Sequence, residues 1–166
     1  YSGRTLVANN VVFGNGGSGI HSFKSSNIDI VQNDAFDNNR HPTLKDGQIF
    51  AHASKNIRIL NNIMVAPVGK PVTTVDKNEN VLIDFNVFAS LDGTTPFFPF
   101  EKGNNIVASP GLELIGWAEG GRTFKVTPDS PLRAAGMPLP GTGSDFFGKA
   151  RGEGKPDIGP FVLGGL

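Results

Sequence analysis

Asn27-Ile28-Asp29-Ile30-Val31-Gln32-Asn33 is the stretch on which the fold turns, because its frame recurs at Asn56-Ile57-Arg58-Ile59-Leu60-Asn61-Asn62 and at Asn80-Val81-Leu82-Ile83-Asp84-Phe85-Asn86. In each copy Asn opens the segment, β-branched residues hold the second and fourth places, and Asn closes it six residues later. Arg4-Thr5-Leu6-Val7-Ala8-Asn9-Asn10 fits the same frame without the opening Asn. The closing asparagines stand at 10, 33, 62 and 86, at intervals of 23, 29 and 24 residues. A period in the twenties with a short strand in each copy predicts a solenoid.

The alternation Ile28/Ile30, Ile57/Ile59, Val81/Ile83 has period two, so these side chains share one face of a strand. Asp29, Arg58 and Leu82 take the other face. One such strand cannot bury its apolar side alone; stacking the next copy on it in parallel can. The closing Asn fits a sharp bend, since Asn tolerates the left-handed region and bonds locally through its amide, and stacked asparagines can form an amide ladder. Short apolar groups follow each closing Asn (Val11-Val12-Phe13, Asp34-Ala35-Phe36, Ile63-Met64-Val65, Val87-Phe88-Ala89) and predict a second strand. A third precedes each opening Asn: Gly19–Phe23, Gln48–Ala53 and, with fewer bulky residues, Val72–Val75. Three strands per repeat, in about four coils, predict an all-β chain wound as a parallel β-helix over residues 1–90. Of the twelve prolines, nine lie between Pro96 and Pro160, where the repeat is lost, so residues 91–166 are expected to form an irregular cap on the last coil. Within it, Thr95-Pro96-Phe97-Phe98-Pro99-Phe100 reads as an aromatic lid over that coil, or as a carbohydrate-stacking loop.

The run from Asn9 to Ile30, NNVVFGNGGSGIHSFKSSNIDI, resembles the coils of right-handed parallel β-helix proteins of the pectate-lyase-like superfamily. Asp145-Phe146-Phe147-Gly148-Lys149-Ala150-Arg151 followed by Asp157-Ile158-Gly159 is similar to that family's terminal D-x-x-G-x-x-R…D-I-G-A motif, with Pro160 in place of the Ala. The tail reads as structural, with Arg151 and Asp157 as an internal ion pair. The resemblance implies a polysaccharide-active protein, secreted or periplasmic, whose acidic glycan lies in a groove along the coil axis. Tyr1 enters inside a coil with no cap in view, so the chain reads as the C-terminal part of a longer β-helix, unless a short segment such as residues 1–5 plugs that end. A second copy could instead self-associate with that first coil.

Composition narrows the alternatives. The chain has no cysteine, so it has neither disulfides nor thiolate metal sites. Its 15 basic and 15 acidic residues cancel, which leaves nucleic acid and anionic membranes without electrostatic support. No apolar run approaches the roughly 20 residues of a membrane-spanning helix. Gly14-Asn15-Gly16-Gly17 is followed by no helix, so it does not read as a phosphate loop.

Counting back from the opening asparagines aligns the coils: Lys24 with Ala53 and Lys77, Phe23 with His52 and Asp76, His21 with Phe50 and Thr74. Adjacent coils lie about 4.8 Å apart. His21, Lys24, His52, Asp76 and Lys77 are thereby placed on or beside one face. The longest connection, Asn38 to Asp46, carries Arg40, His41, Lys45 and Asp46 and can overhang that face. β-Elimination from a uronate needs a base for the C5 proton, a cation at the carboxylate, and a proton for the leaving oxygen. Lys, Arg or His can serve as base, and Arg binds carboxylate through two parallel bonds. Lys24, His52, Arg40 and His21 are the candidate catalytic residues, with His41, Lys45, Asp46, Asp76 and Lys77 as substrate contacts. Calcium is an alternative cation, with Asp29, Asp34 and Asp37 as its candidate carboxylates. Two readings stand beside the lyase. One is a glycoside hydrolase, for which no carboxylate pair is marked. The other is a non-catalytic carbohydrate-binding or structural β-helix fragment.

Overall fold

The computed structural model describes residues 3–118, 121–127 and 129–163. The strands are β1 (Thr5–Ala8), β2 (Val11–Phe13), β3 (Ile20–Phe23), β4 (Ser26–Val31), β5 (Asp34–Phe36), β6 (Ile49–His52), β7 (Lys55–Leu60), β8 (Ile63–Ala66), β9 (Val75–Asp76), β10 (Glu79–Asp84), β11 (Val87–Ser90) and β12 (Ile106–Val107). An antiparallel hairpin, β13 (Leu112–Ala118) and β14 (Gly121–Val126), follows. Among the described residues there is no helix, and none long and apolar enough to cross a membrane.

The first twelve strands sort into three parallel sheets. Sheet A is β1-β4-β7-β10, sheet B is β2-β5-β8-β11-β12, and sheet C is β3-β6-β9. Through β11 the chain visits A, B and C in rotation, so each strand pairs with its counterpart one repeat away. This all-β arrangement is consistent with a β-solenoid. The registers are those that alignment of the repeat predicts: Ile28 with Ile57 and Ile57 with Val81 in sheet A, Asp34 with Ile63 and Ile63 with Val87 in sheet B. Sheet B has a further rung that the period did not reveal, β12, because the last interval shortens to 19 residues between Asn86 and Asn105. Val72–Val75 was expected to be the third strand of its coil. Only Val75–Asp76 pairs there, while Val72 and Thr73 are buried without joining the sheet.

Inward residues of the three sheets meet in one core: Ile30, Ile57 and Ile59 from A, Ala35, Met64 and Phe88 from B, Ile49 and Ala51 from C. Phe98 and Phe100 close its last-coil end, with ring centroids 5.2 and 6.2 Å from Phe88. The lid reading of this aromatic run therefore describes Phe98 and Phe100, while Phe97 points out to solvent. Residues 130–163 do something different. Leu132 and Ile158 pack on the outer face of sheet B against Ile63, Val65, Val87 and Ala89. The segment then runs along the A-to-B turns as far as the first coil. Asn61 exchanges two bonds with Met137, and Asn9 donates to the Ser144 carbonyl and accepts from Arg151. Much of the tail is thus a strap along the flank rather than a plug at the end.

The expected Asn ladder is present, but its asparagines do not themselves make the bend. Backbone N–H and Nδ2 of Asn33 both donate to Asn62 Oδ1, each at 3.0 Å. Asn62 repeats this on Asn86, Asn86 on Asn105, and Asn10 on Asn33. Asn33, Asn62, Asn86 and Asn105 are fully buried. The left-handed residue is not the closing Asn but the one before it: Asn9, Gln32, Asn61 and Phe85, with φ between 54° and 57°. The bend thus falls one residue earlier, and this turns the closing amide inward to face its neighbours above and below. The opening asparagines, Asn27, Asn56 and Asn80, are left-handed and form a second, outer ladder, Asn80 to Asn56 at 2.8 Å and Asn56 to Asn27 at 3.1 Å.

In the tail, Arg151 and Asp157 do not form the anticipated ion pair. Arg151 donates to Asn9 Oδ1 and the Gly159 carbonyl, whereas the Asp157 carboxylate accepts from the Ala134 and Leu163 amides. The Asp157 carboxylate is thus used to shape backbone, and Arg151 ties the tail to the first coil. Burial pulls the Arg151 pKa below its ordinary value, with the charges of Asp145 and Asp157 opposing that shift.

Candidate functional site

Sheet C presents the face on which the sequence places its chemistry. β3 and β6 pair with His21 opposite Phe50 and Phe23 opposite His52, and β6 and β9 pair with His52 opposite Asp76. Alternation turns Ser22 and Ala51 into the core and leaves the other four outside. Each pair stacks. The His21 and Phe50 rings are 5.3 Å apart and 23° from parallel; those of Phe23 and His52 are 5.5 Å apart and 21° from parallel. The result is a two-by-two platform of flat rings, histidines on one diagonal and phenylalanines on the other. Phe23 is 50% exposed, whereas Phe50 is 8% exposed.

A depression of about 400 Å³ lies over this platform, bounded by Gly17, Ser18, Leu44 and Asp46 in addition to the four rings. Leu44 and Asp46 come from the Asn38–Asp46 connection, as anticipated for an insertion. That loop is pinned from both sides. Its first residues bond to the Gly-rich turn of the preceding coil, through Asn39 N to Gly17 O, Arg40 N to Asn15 O and His41 N to Gly16 O. From the following coil, Lys70 Nζ donates to the His41 and Leu44 carbonyls at 2.9 and 2.6 Å. Asn39 Nδ2 also holds the Asp46 carbonyl. A loop fixed in this way keeps Leu44 at the rim instead of letting it sweep through solvent.

His52 carries the most specific polar geometry. Its Nδ1 stands 3.2 Å from Asp76 Oδ2, and Lys77 Nζ lies 4.0 Å from the same oxygen. The carboxylate is close enough to stabilise a charged imidazole, and a ring that holds its proton on Nδ1 has a lone pair on Nε2 that can accept one. Lys24 Nζ stands 5.1 Å from the Phe23 ring centroid, close enough for a cation–π contact. Lys24, Ala53 and Lys77 are all left-handed, with φ of 48°, 50° and 54°, so the two lysines project from one corner at the edge of sheet C.

Of the residues expected here, His21, His52 and Asp46 line the depression, and Asp76, Lys77 and Lys24 stand at its edge through His52 and Phe23. Arg40 lies away from it, with its guanidinium paired to Asp37 and its backbone bonded to the Gly-rich turn. That carboxylate, by hydrogen bond and by charge, raises the Arg40 pKa above its usual value. His41, its Nδ1 3.0 Å from Thr43 Oγ1, and Lys45 do not line the depression. Phe23 and Phe50 served in the sequence only to mark register, although they lie two places from His21 and His52. That spacing was the available signal that they share the outer face.

The carboxylates considered for calcium have other employment. Asp29 is held by Arg4 Nε and Nη2 and faces Arg58, and Asp37 takes Arg40. The Asp34 carboxyl is buried with no hydrogen-bond partner for either oxygen, and burial pushes its pKa up to about 7. No group of three or more His, Asp or Glu among the described residues converges as a metal site would require. Compared with known proteins, the chain matches no family model, no curated protein and no solved structure.

Proposed function

We propose that this chain is a right-handed parallel β-helix acting on an acidic polysaccharide outside the cell, and that it cleaves uronate-containing glycan by β-elimination on the outer face of sheet C. The right hand is the one parallel crossover connections almost always take. One observation carries the chemical reading: His52, its Nδ1 3.2 Å from Asp76, lines a depression beside the half-exposed Phe23 ring, which a sugar can contact.

In this reading a glycan runs along the coil axis over the platform. Phe23 and the histidine rings meet the apolar faces of successive sugars. His52 Nε2 takes the C5 proton, and Asp76 stabilises the imidazolium that forms. The electrons of the broken C–H bond form the C4–C5 double bond, and the C4–oxygen bond breaks. His21, one coil away, returns a proton to the leaving oxygen. Lys24 and Lys77 supply positive charge for the uronate carboxylate.

Incubation with pectate, alginate or a glycosaminoglycan tests this through the ultraviolet absorbance of the unsaturated uronate product. A rise that disappears in His52→Gln is the expected result. A flat trace on all three polymers, with and without calcium, would exclude the lyase. A second reading, binding without cleavage, is favoured by the aromatic lining itself, since ring contacts to a sugar need no proton transfer. Retention on a glycan column with no product would select it.

A further inference from the structure

We propose that the outer face of sheet A holds a second binding site, for a small carboxylate with an apolar ring. Arg4, Asp29 and Arg58 form a column across three coils. Arg4 Nε and Nη2 bind Asp29 at 2.6 to 3.0 Å, and Arg58 Nε stands 3.0 Å from Asp29 Oδ1. Two guanidiniums meet one carboxylate, so the column keeps a net positive charge. Arg4 Nη2 also donates to the Ile28 and Asn56 carbonyls. The terminal nitrogens of Arg58 meet no acceptor among the described residues, and its side chain is 41% exposed. The surplus charge therefore sits on a planar fork shaped to grip a carboxylate.

What lies beside that fork narrows the ligand. A depression of about 190 Å³ is bounded by Arg4, Asp29 and Arg58 on one side and by Leu6, Val31, Leu60, Leu139 and Pro140 on the others. Val31 and Leu60 are buried and form its floor. The far wall, Leu139-Pro140, is held in place by the strap: Asn61 fixes Met137 through two bonds, and Thr142 Oγ1 donates to the Leu139 carbonyl. The space is well below that of a drug-sized pocket, roughly 300 Å³ or more, and suits a single ring. Apart from the column the lining is aliphatic, so ring hydroxyls would lose water without gaining partners. A hydrophobic ring acid fits; a sugar acid does not. The site shares no residue with the sheet C depression and stands independently of the lyase reading.

The test is methyl-resolved NMR on the full chain, with benzoate as probe and cyclohexanol and galacturonate as controls. Saturable shifts of the Leu60 and Leu139 methyls with benzoate alone are expected, with affinity weakened about tenfold or more in Arg58→Gln. Unchanged side-chain amide signals of Asn33, Asn62 and Asn86 would show that the variant keeps its fold. The proposal is overturned by an absence of saturation up to about 10 mM benzoate, by equal affinity in Arg58→Gln, or by galacturonate binding as tightly.

Discussion

Asp34→Val should stabilise this protein, and more strongly as pH rises. Asp34 lies in sheet B between Val11 and Ile63, on the side that the strap covers. It is 0% exposed, and neither carboxyl oxygen has a hydrogen-bond partner. Desolvation of the charged form raises its pKa from 3.8 to about 7. The raised value sets the sign. Well below pH 3.8 the folded and unfolded chains both carry the proton and no penalty arises. As pH climbs, the unfolded chain releases its proton first, so folded stability falls, and the fall levels off above about pH 7. The whole swing is about 4 kcal/mol, of which about 2.5 kcal/mol falls between pH 5 and pH 8. Val restores the β-branched apolar column and removes the ionisable group. Urea unfolding of both proteins at pH 5 and pH 8 measures this, and the difference of differences cancels every other titrating side chain. An unchanged pH dependence in Asp34→Val, or a variant less stable than the parent at pH 8, would refute the claim that this carboxyl is buried and unpaired.

Asn62→Ala removes the acceptor of the Asn33 N–H and Nδ2 and the donor to Asn86, all buried; a loss of about 3–5 kcal/mol by chemical denaturation is expected. Gly47→Ala would set a Cβ 2.2 Å from the Thr73 Cα, backbone against backbone in the next coil, and should lower stability by about 1–3 kcal/mol or prevent folding, as read by thermal melting. Arg151→Met breaks the strap's bonds to Asn9 and Gly159, so hydrogen exchange should quicken around Ser144 and the first coil while the amides of β7 and β8 stay protected. Phe88→Ala removes the fully buried ring on which Phe98 and Phe100 rest and should cost about 3–5 kcal/mol in urea unfolding.

Much of the sheet C face was legible in advance, because in a stacked repeat the register follows from position within the copy. Aligning Asn27 with Asn56 and Asn80 suffices to set Phe23 beside His52 and His52 beside Asp76. The same logic failed where interactions do not repeat. Arg40 was expected over the face and instead turns back to Asp37, a neighbour three residues away that competes at almost no entropic cost. The left-handed residue was assigned to the closing Asn, because Asn favours that region. The ladder requires its amide to point inward, so Gln32 and Phe85, poor candidates on propensity alone, take the turn.

Residues 5–90 thus determined by themselves that strands of this chain stack in parallel, how many residues separate the rungs, and which side chains become neighbours. A period-two apolar pattern recurring with an aligned Asn admits few other ways to bury its face and satisfy its amides. Only the tertiary structure decided where residues 130–163 lie, that Asp34 and Gln32 are sealed beneath them or beside them, and that Arg58 is left with free donors against an aliphatic wall. Those outcomes depend on contacts between segments that share no repeat, and they are fixed by shape and by competition for partners, neither of which leaves a periodic trace in the sequence.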